Sequence, residues 1–178
     1  MQKYIIPTLA AFILLTTGTA FAQQTSANHD LRVTIPEVVM IRIVAPDGET
    51  AFVAFDYADP ANQGTYFTAL EAGGGVLPPT SGNITDIEVL AIGTAWTVSV
   101  TATAFSALGG VGLDDITVTP DASFGTPFTL DDGTDAMTGS AGNWTSLGID
   151  WESYALTVNG DETDGTETIT VTYTIANP

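Results

Sequence analysis

Thr94-Ala95-Trp96-Thr97-Val98-Ser99-Val100-Thr101-Ala102-Thr103-Ala104 sorts its side chains by parity: Trp96, Val98, Val100, Ala102 and Ala104 fall on one side, the hydroxyl residues on the other. A β-strand has a side-chain period of two, so this stretch reads as a strand with one buried and one solvent-facing surface. Such clean alternation belongs to antiparallel sheets, because strands of parallel sheets are covered on both sides and read as continuous apolar runs. Near the C-terminus Ile169, Val171, Tyr173 and Ile175 alternate with Thr168, Thr170, Thr172 and Thr174 in the same way. Threonine and valine both suit the pleated, half-buried surface of a sheet.

Working outward, further strands are expected at Leu31–Ile35, Val38–Val44, Ala51–Phe55, Ile84–Ile92, Ile116–Thr119, Phe128–Leu130 and Tyr154–Val158. Turn dipeptides punctuate them, among them Asp47-Gly48, Asp59-Pro60, Asp132-Gly133, Asn159-Gly160 and Asp164-Gly165. Many short strands with regular punctuation predict an all-β fold, an antiparallel β-sandwich of immunoglobulin-like or related topology. No segment holds a helical period; Gln63–Leu70 is expected to make one helical turn and Gly73-Gly74-Gly75 a flexible loop. Pro36 has no N–H for a sheet ladder, so it is expected where the chain crosses between sheets. Val39, Ile41 and Ile43 should then enter the core, with Met40 and Arg42 pointing away and Arg42 meeting a carboxylate on the outer face.

Lys3, the apolar run Tyr4–Leu15 and the small-residue exit Ala20-Phe21-Ala22 have the layout of a secretory signal peptide. The run is interrupted by Pro7 and closed by Thr16-Thr17-Gly18-Thr19, short of the about 20 apolar residues that a bilayer span needs. The expected organisation is a signal peptide at 1–22, a flexible segment at 23–30 and a single β-sandwich domain at 31–178, with no transmembrane segment after cleavage. The product should be secreted or displayed at the cell surface.

Composition narrows the function. The chain has 21 acidic residues against 3 cationic ones and a formal net charge of −18, and cleavage leaves only Arg32 and Arg42. Such a chain repels phosphate backbones, so nucleic acid is not an expected partner. The acidity fits an exported surface protein or a saline setting. Cysteine is absent, which removes thiolate chemistry and disulfide staples alike.

A catalytic set is missing too. The one histidine, His29, lies in the polar stretch 23–30, whereas a triad base must be held rigidly beside its nucleophile. Carboxylate pairs such as Asp114-Asp115 and Asp131-Asp132 sit beside turns, where they read as solvated loop residues rather than as an acid and a nucleophile facing across a glycosidic bond. No cofactor is expected. Calcium is the one ion with suitable oxygen ligands, in Asp131-Asp132-Gly133-Thr134-Asp135 and Asp161-Glu162-Thr163-Asp164-Gly165, although neither stretch has the spacing of a helix-loop-helix calcium loop. Trp144, Trp151 and Tyr154 cluster near the Gly139–Gly142 stretch and are candidates for stacking on sugar faces. Trp96, by parity, belongs to the core.

Ala95-Trp96-Thr97-Val98-Ser99-Val100 and the terminal Glu167–Pro178 resemble strands of bacterial cell-surface β-domains, in particular WxL-type wall-associated domains and, more loosely, fimbrial subunits. Trp96-x-Val98 stands where that wall-binding family has its first Trp-x-Leu motif, and Tyr173-x-Ile175 where it has the second. The resemblance implies a setting at the cell wall and a role in adhesion. Together with the missing catalytic set, it favours a non-enzymatic β-sandwich that associates with a cell-envelope component or with like subunits. The second expectation is a carbohydrate-binding module with Trp144, Trp151 and Tyr154 as its platform, stabilised by calcium.

Overall fold

Ile87, Val89 and Ala91 alternate inward along one strand, Trp96, Val98 and Val100 along the next, and all six are buried in one core. The computed structural model describes Asp30, residues 32–131 and residues 136–178; the expected signal peptide, the segment before Asp30, His29 and Leu31 lie outside the described residues. By its internal contacts the chain divides into residues 1–34 and 35–178. The architecture below is that of the second unit.

Its elements run β1 (Val38–Val44), β2 (Val53–Ala54), α1 (Gln63–Glu71), β3 (Gly75–Leu77), β4 (Ser81–Gly82), β5 (Asp86–Ile92), β6 (Trp96–Ala102), β7 (Ile116–Val118), β8 (Phe128–Thr129), β9 (Met137–Gly139), β10 (Gly142–Ser146), β11 (Tyr154–Val158) and β12 (Val171–Ala176). The sheets have the orders β1-β5-β10, β3-β11-β7-β8 and β12-β6-β9, with β2-β4 as a short pair. Every pairing is antiparallel. The fold is all-β and sandwich-like, as the alternation predicts.

The connection between β5 and β6 sets the two-layer arrangement. It turns at Gly93, whose φ of +78° is open to glycine and strained for other residues, and the two strands then join different sheets rather than pairing. On β12, Val171, Tyr173 and Ile175 stand opposite Ala102, Val100 and Val98 and close the core from that side. Each large aliphatic side chain taken fully out of water contributes about 1.5–3 kcal/mol, and this shared interior is the main source of stability. Among the described residues no helix is long and apolar enough to cross a membrane.

Several expectations change. No strand forms over the described part of Leu31–Ile35, and Pro36 makes no crossing between sheets. The partner strand explains this: β5 ends at Ile92, opposite Val38, and turns away at Gly93, so the chain before Val38 has no ladder to join. Val33 and Ile35 are each 71% exposed there. Ile43 stands opposite the buried Ile87, yet on the edge strand β1 it is itself 42% exposed; Val39 and Ile41 do pack inward. Gln63–Glu71 is a nine-residue helix rather than one turn, and Gly75 of the triple glycine begins β3, where a side chain would press on Ala69 at 3.2 Å.

Candidate functional site

The register of the β1-β5-β10 sheet determines which side chains share its outer face. Residues directly opposite in an antiparallel pair point the same way. Val39, Ile41 and Ile43 stand opposite Ala91, Val89 and Ile87 on the core side, so Val38, Met40 and Arg42, opposite Ile92, Leu90 and Glu88, face outward. On the other flank Ser146 of β10 stands opposite Glu88, and the ladder is irregular between Gly142 and Thr145, the interval that holds Trp144.

Arg42 and Trp144 come from the two edge strands and meet over the central one. Neighbouring strands lie about 4.8 Å apart, so both side chains must reach inward to do so. The Arg42 guanidinium sits 4.1 Å from the centroid of the Trp144 ring. The same guanidinium donates from Nε to Glu88 Oε2 at 2.7 Å, and Nη2 pairs with that oxygen as well. The expected pairing of Arg42 with an outer-face carboxylate is thus present, and its partner is Glu88. Both bonds end on Oε2.

Toward the Val38–Ile92 end of the sheet the face is apolar, whereas Asp86 and Ser146 occupy outward positions at its other end. Met40 is 49%, Ile92 40% and Trp144 38% exposed, with Val38 and Leu90 half-buried beside them. The β12-β6 face of the same domain shows what an ordinary solvent surface looks like in this chain: its outward positions are Thr97, Ser99, Thr101, Thr172 and Thr174, with the small Ala176 opposite Thr97. A contiguous exposed apolar patch on a soluble domain marks a place of interaction more often than a scatter of single residues does.

The other candidates from the sequence lie elsewhere. Tyr154 is buried, and its hydroxyl lies 2.6 Å from that of Tyr173. Burial pushes both phenols up, Tyr173 well above the usual range with the neighbouring Tyr154 adding to the effect. Trp151 opens a short 3₁₀ turn, Trp151–Ser153, and is half-buried against the core and over Gly82. Trp144, Trp151 and Tyr154 therefore do not form one exposed platform; Trp144 alone of the three is displayed. Trp96 and Val98 are in the core, and Tyr173 and Ile175 face it from the adjacent strand, Ile175 directly opposite Val98. The two motif-like pairs are brought together by the β6-β12 ladder as packing residues. Trp96 Nε1 donates to Ser140 O at 3.1 Å, and the ring lies 5.7 Å from that of Phe124.

Of the two acidic stretches considered for calcium, Asp132–Asp135 lies outside the described residues. In the second, Glu162 accepts from the Asn159 N–H at 2.5 Å, from the Gly160 N–H and from Tyr66 Oη at 3.1 Å. Partial burial works against its charge, but these donors outweigh it and hold the carboxyl below its ordinary range. Its oxygens are spent on tying the 159–170 loop to α1. Among the described residues no three acidic, histidine or cysteine side chains form a group able to hold a metal.

Set against known proteins, the chain matches no family model, no curated protein and no solved structure.

Sequence reasoning had placed Met40 and Arg42 outward but missed Glu88, Leu90 and Ile92. A signal was there: Val38–Val44 and Ile87–Ile92 are apolar at positions of both parities, which a strand facing water on one side has no reason to be.

Proposed function

We propose that this protein is an exported, non-enzymatic β-sandwich that works by association, at the cell envelope or within an extracellular assembly of like subunits. The outer face of β1-β5-β10 is the contact surface. The observation that carries this reading is the contrast between two outer faces of one domain, threonine and serine on β12-β6 against Met40, Leu90, Ile92 and Trp144 here. A chain with 21 acidic residues does not lack polar side chains to place on that face. The signal-like N-terminus and the resemblance to wall-associated and fimbrial domains support the same setting.

The test compares the exported chain with a Met40→Ser/Ile92→Thr variant, in co-sedimentation with washed envelope fractions and in size-exclusion chromatography. Association should fall at least tenfold in the variant while its circular-dichroism spectrum is unchanged. A wild-type chain that stays monomeric and shows no envelope affinity would overturn the proposal.

A further inference from the structure

We infer that the ligand of this face is an uncharged polysaccharide, bound with a sugar ring laid on the Trp144 indole. The inference rests on the reading of β1-β5-β10 as the contact surface and names what that surface takes.

Size is the first argument. β1 and β5 are seven residues long and the sheet is three strands wide. With a rise of about 3.3 Å per residue and about 4.8 Å between strands, the face covers roughly 300 Å². A stable protein partner of ordinary size covers about 800 Å² on each side. By itself the face is smaller than such a patch and matches the footprint of a few linked sugars.

Charge is the second. The rest of the chain is strongly acidic, with a formal net charge of −18, which repels an anionic polymer at every approach. A cationic ligand gains nothing here in particular, because Glu88 is already paired with Arg42 and carboxylates abound elsewhere. A neutral ligand is the one that this face, rather than the surface at large, can select.

The third is the chemistry at the centre. A pyranose ring offers an apolar C–H face and a rim of hydroxyls, and an aromatic ring with polar groups beside it is complementary to both. Arg42 covers one face of the Trp144 ring at 4.1 Å from its centroid and is itself held by Glu88, so the indole is braced from that side before the ligand arrives and the sugar takes the face turned away from Arg42. Holding a side chain in its bound position beforehand removes part of the ordering cost of binding.

The experiment is affinity electrophoresis of the exported chain in native gels containing a soluble β-glucan, a galactomannan or alginate, followed by isothermal titration at 0.15 and 1 M NaCl. The expected result is retardation in at least one neutral gel and none in alginate, with an affinity that changes less than twofold between the two salt concentrations. Trp144→Ala should lose at least tenfold and Trp144→Phe less, since the phenyl ring keeps a flat surface. Retardation in alginate alone, no retardation in either neutral gel, or binding that Trp144→Ala leaves intact would each overturn the inference. If the Met40→Ser/Ile92→Thr variant loses envelope association while no neutral polysaccharide binds, the contact surface stands and its ligand is a different one; if neither binding is seen, both readings fall.

Discussion

Gly139→Ala should be among the most damaging single-methyl changes in this protein. Gly139 stands opposite Trp96 in the β6-β9 ladder, and the indole lies flat across the space a side chain would fill. A Cβ there would overlap Trp96 Cζ2 and Cε2 and come within 2.8 Å of Nε1. The ring has nowhere to go, because it is buried, Phe124 lies 5.7 Å away and Nε1 is bonded to Ser140 O. Nor can the backbone back away without breaking the Thr97–Thr138 and Val98–Met137 pairings. Overpacking of this kind costs about 1–3 kcal/mol, and loss of the indole hydrogen bond adds about 1 kcal/mol. The sum is about 2–4 kcal/mol, which for a domain of this size lowers Tm by roughly 5–15 °C. The backbone at Gly139 is not in the left-handed region, so alanine incurs no conformational penalty; without the clash the change would stabilise by about 0.4–1 kcal/mol. Urea and thermal unfolding followed by circular dichroism measure the effect, and a cycle with Trp96→Leu isolates it. In the Trp96→Leu background Gly139→Ala should cost less than about 0.5 kcal/mol, since the clashing atoms are gone. An equal cost in both backgrounds would refute the reasoning.

Glu167 accepts from the N–H groups of Ala107, Ser106 and Leu108 and from Ser106 Oγ at 2.7–3.1 Å, which holds its carboxyl down at about 2, against an ordinary 4.5. A carboxyl depressed on folding stabilises above its unfolded value and loses that contribution as pH falls. Glu167→Gln should therefore flatten the acid limb of the stability curve between about pH 4.5 and 2, measured as Tm against pH; an unchanged slope would show that the clamp carries no weight. Tyr173→Phe leaves the buried Tyr154 hydroxyl without its partner and should cost about 1–3 kcal/mol. In urea titrations the Tyr154→Phe/Tyr173→Phe double variant should cost less than the sum of the two single changes, and strict additivity would deny the pairing.

Strand identity was largely legible. β1 and β11 have the boundaries read from the sequence, and β5, β6, β7, β8 and β12 differ by a few residues at their ends. What failed depended on neighbours. Leu31–Ile35 has a strand's pattern, but β5 offers nothing to pair with beyond Ile92. Met137–Gly139 and Gly142–Ser146 do not read as strands, because glycine and serine carry no parity signal; they are strands because β6 and β5 offer open edges beside them. The outer face of β1-β5-β10 was half visible. Met40 and Arg42 could be placed outward from one strand alone, whereas the meeting of Arg42, Glu88 and Trp144 requires three segments in register, separated by long stretches of chain.

By itself the sequence determined the longer strands and, for most of their residues, the side that faces the core, together with the burial of Trp96 and the strongly acidic charge. Those are local properties, set by side-chain size, branching and a period of two. Tertiary structure decided which strands became neighbours, and with that which aromatic residues were spent on packing and which was displayed: Tyr154 went inward to Tyr173, and Trp144 outward to Arg42. The physical reason is that pairing is a contest between distant segments for the same edge hydrogen bonds and the same core volume, and no window of residues contains its own competitor.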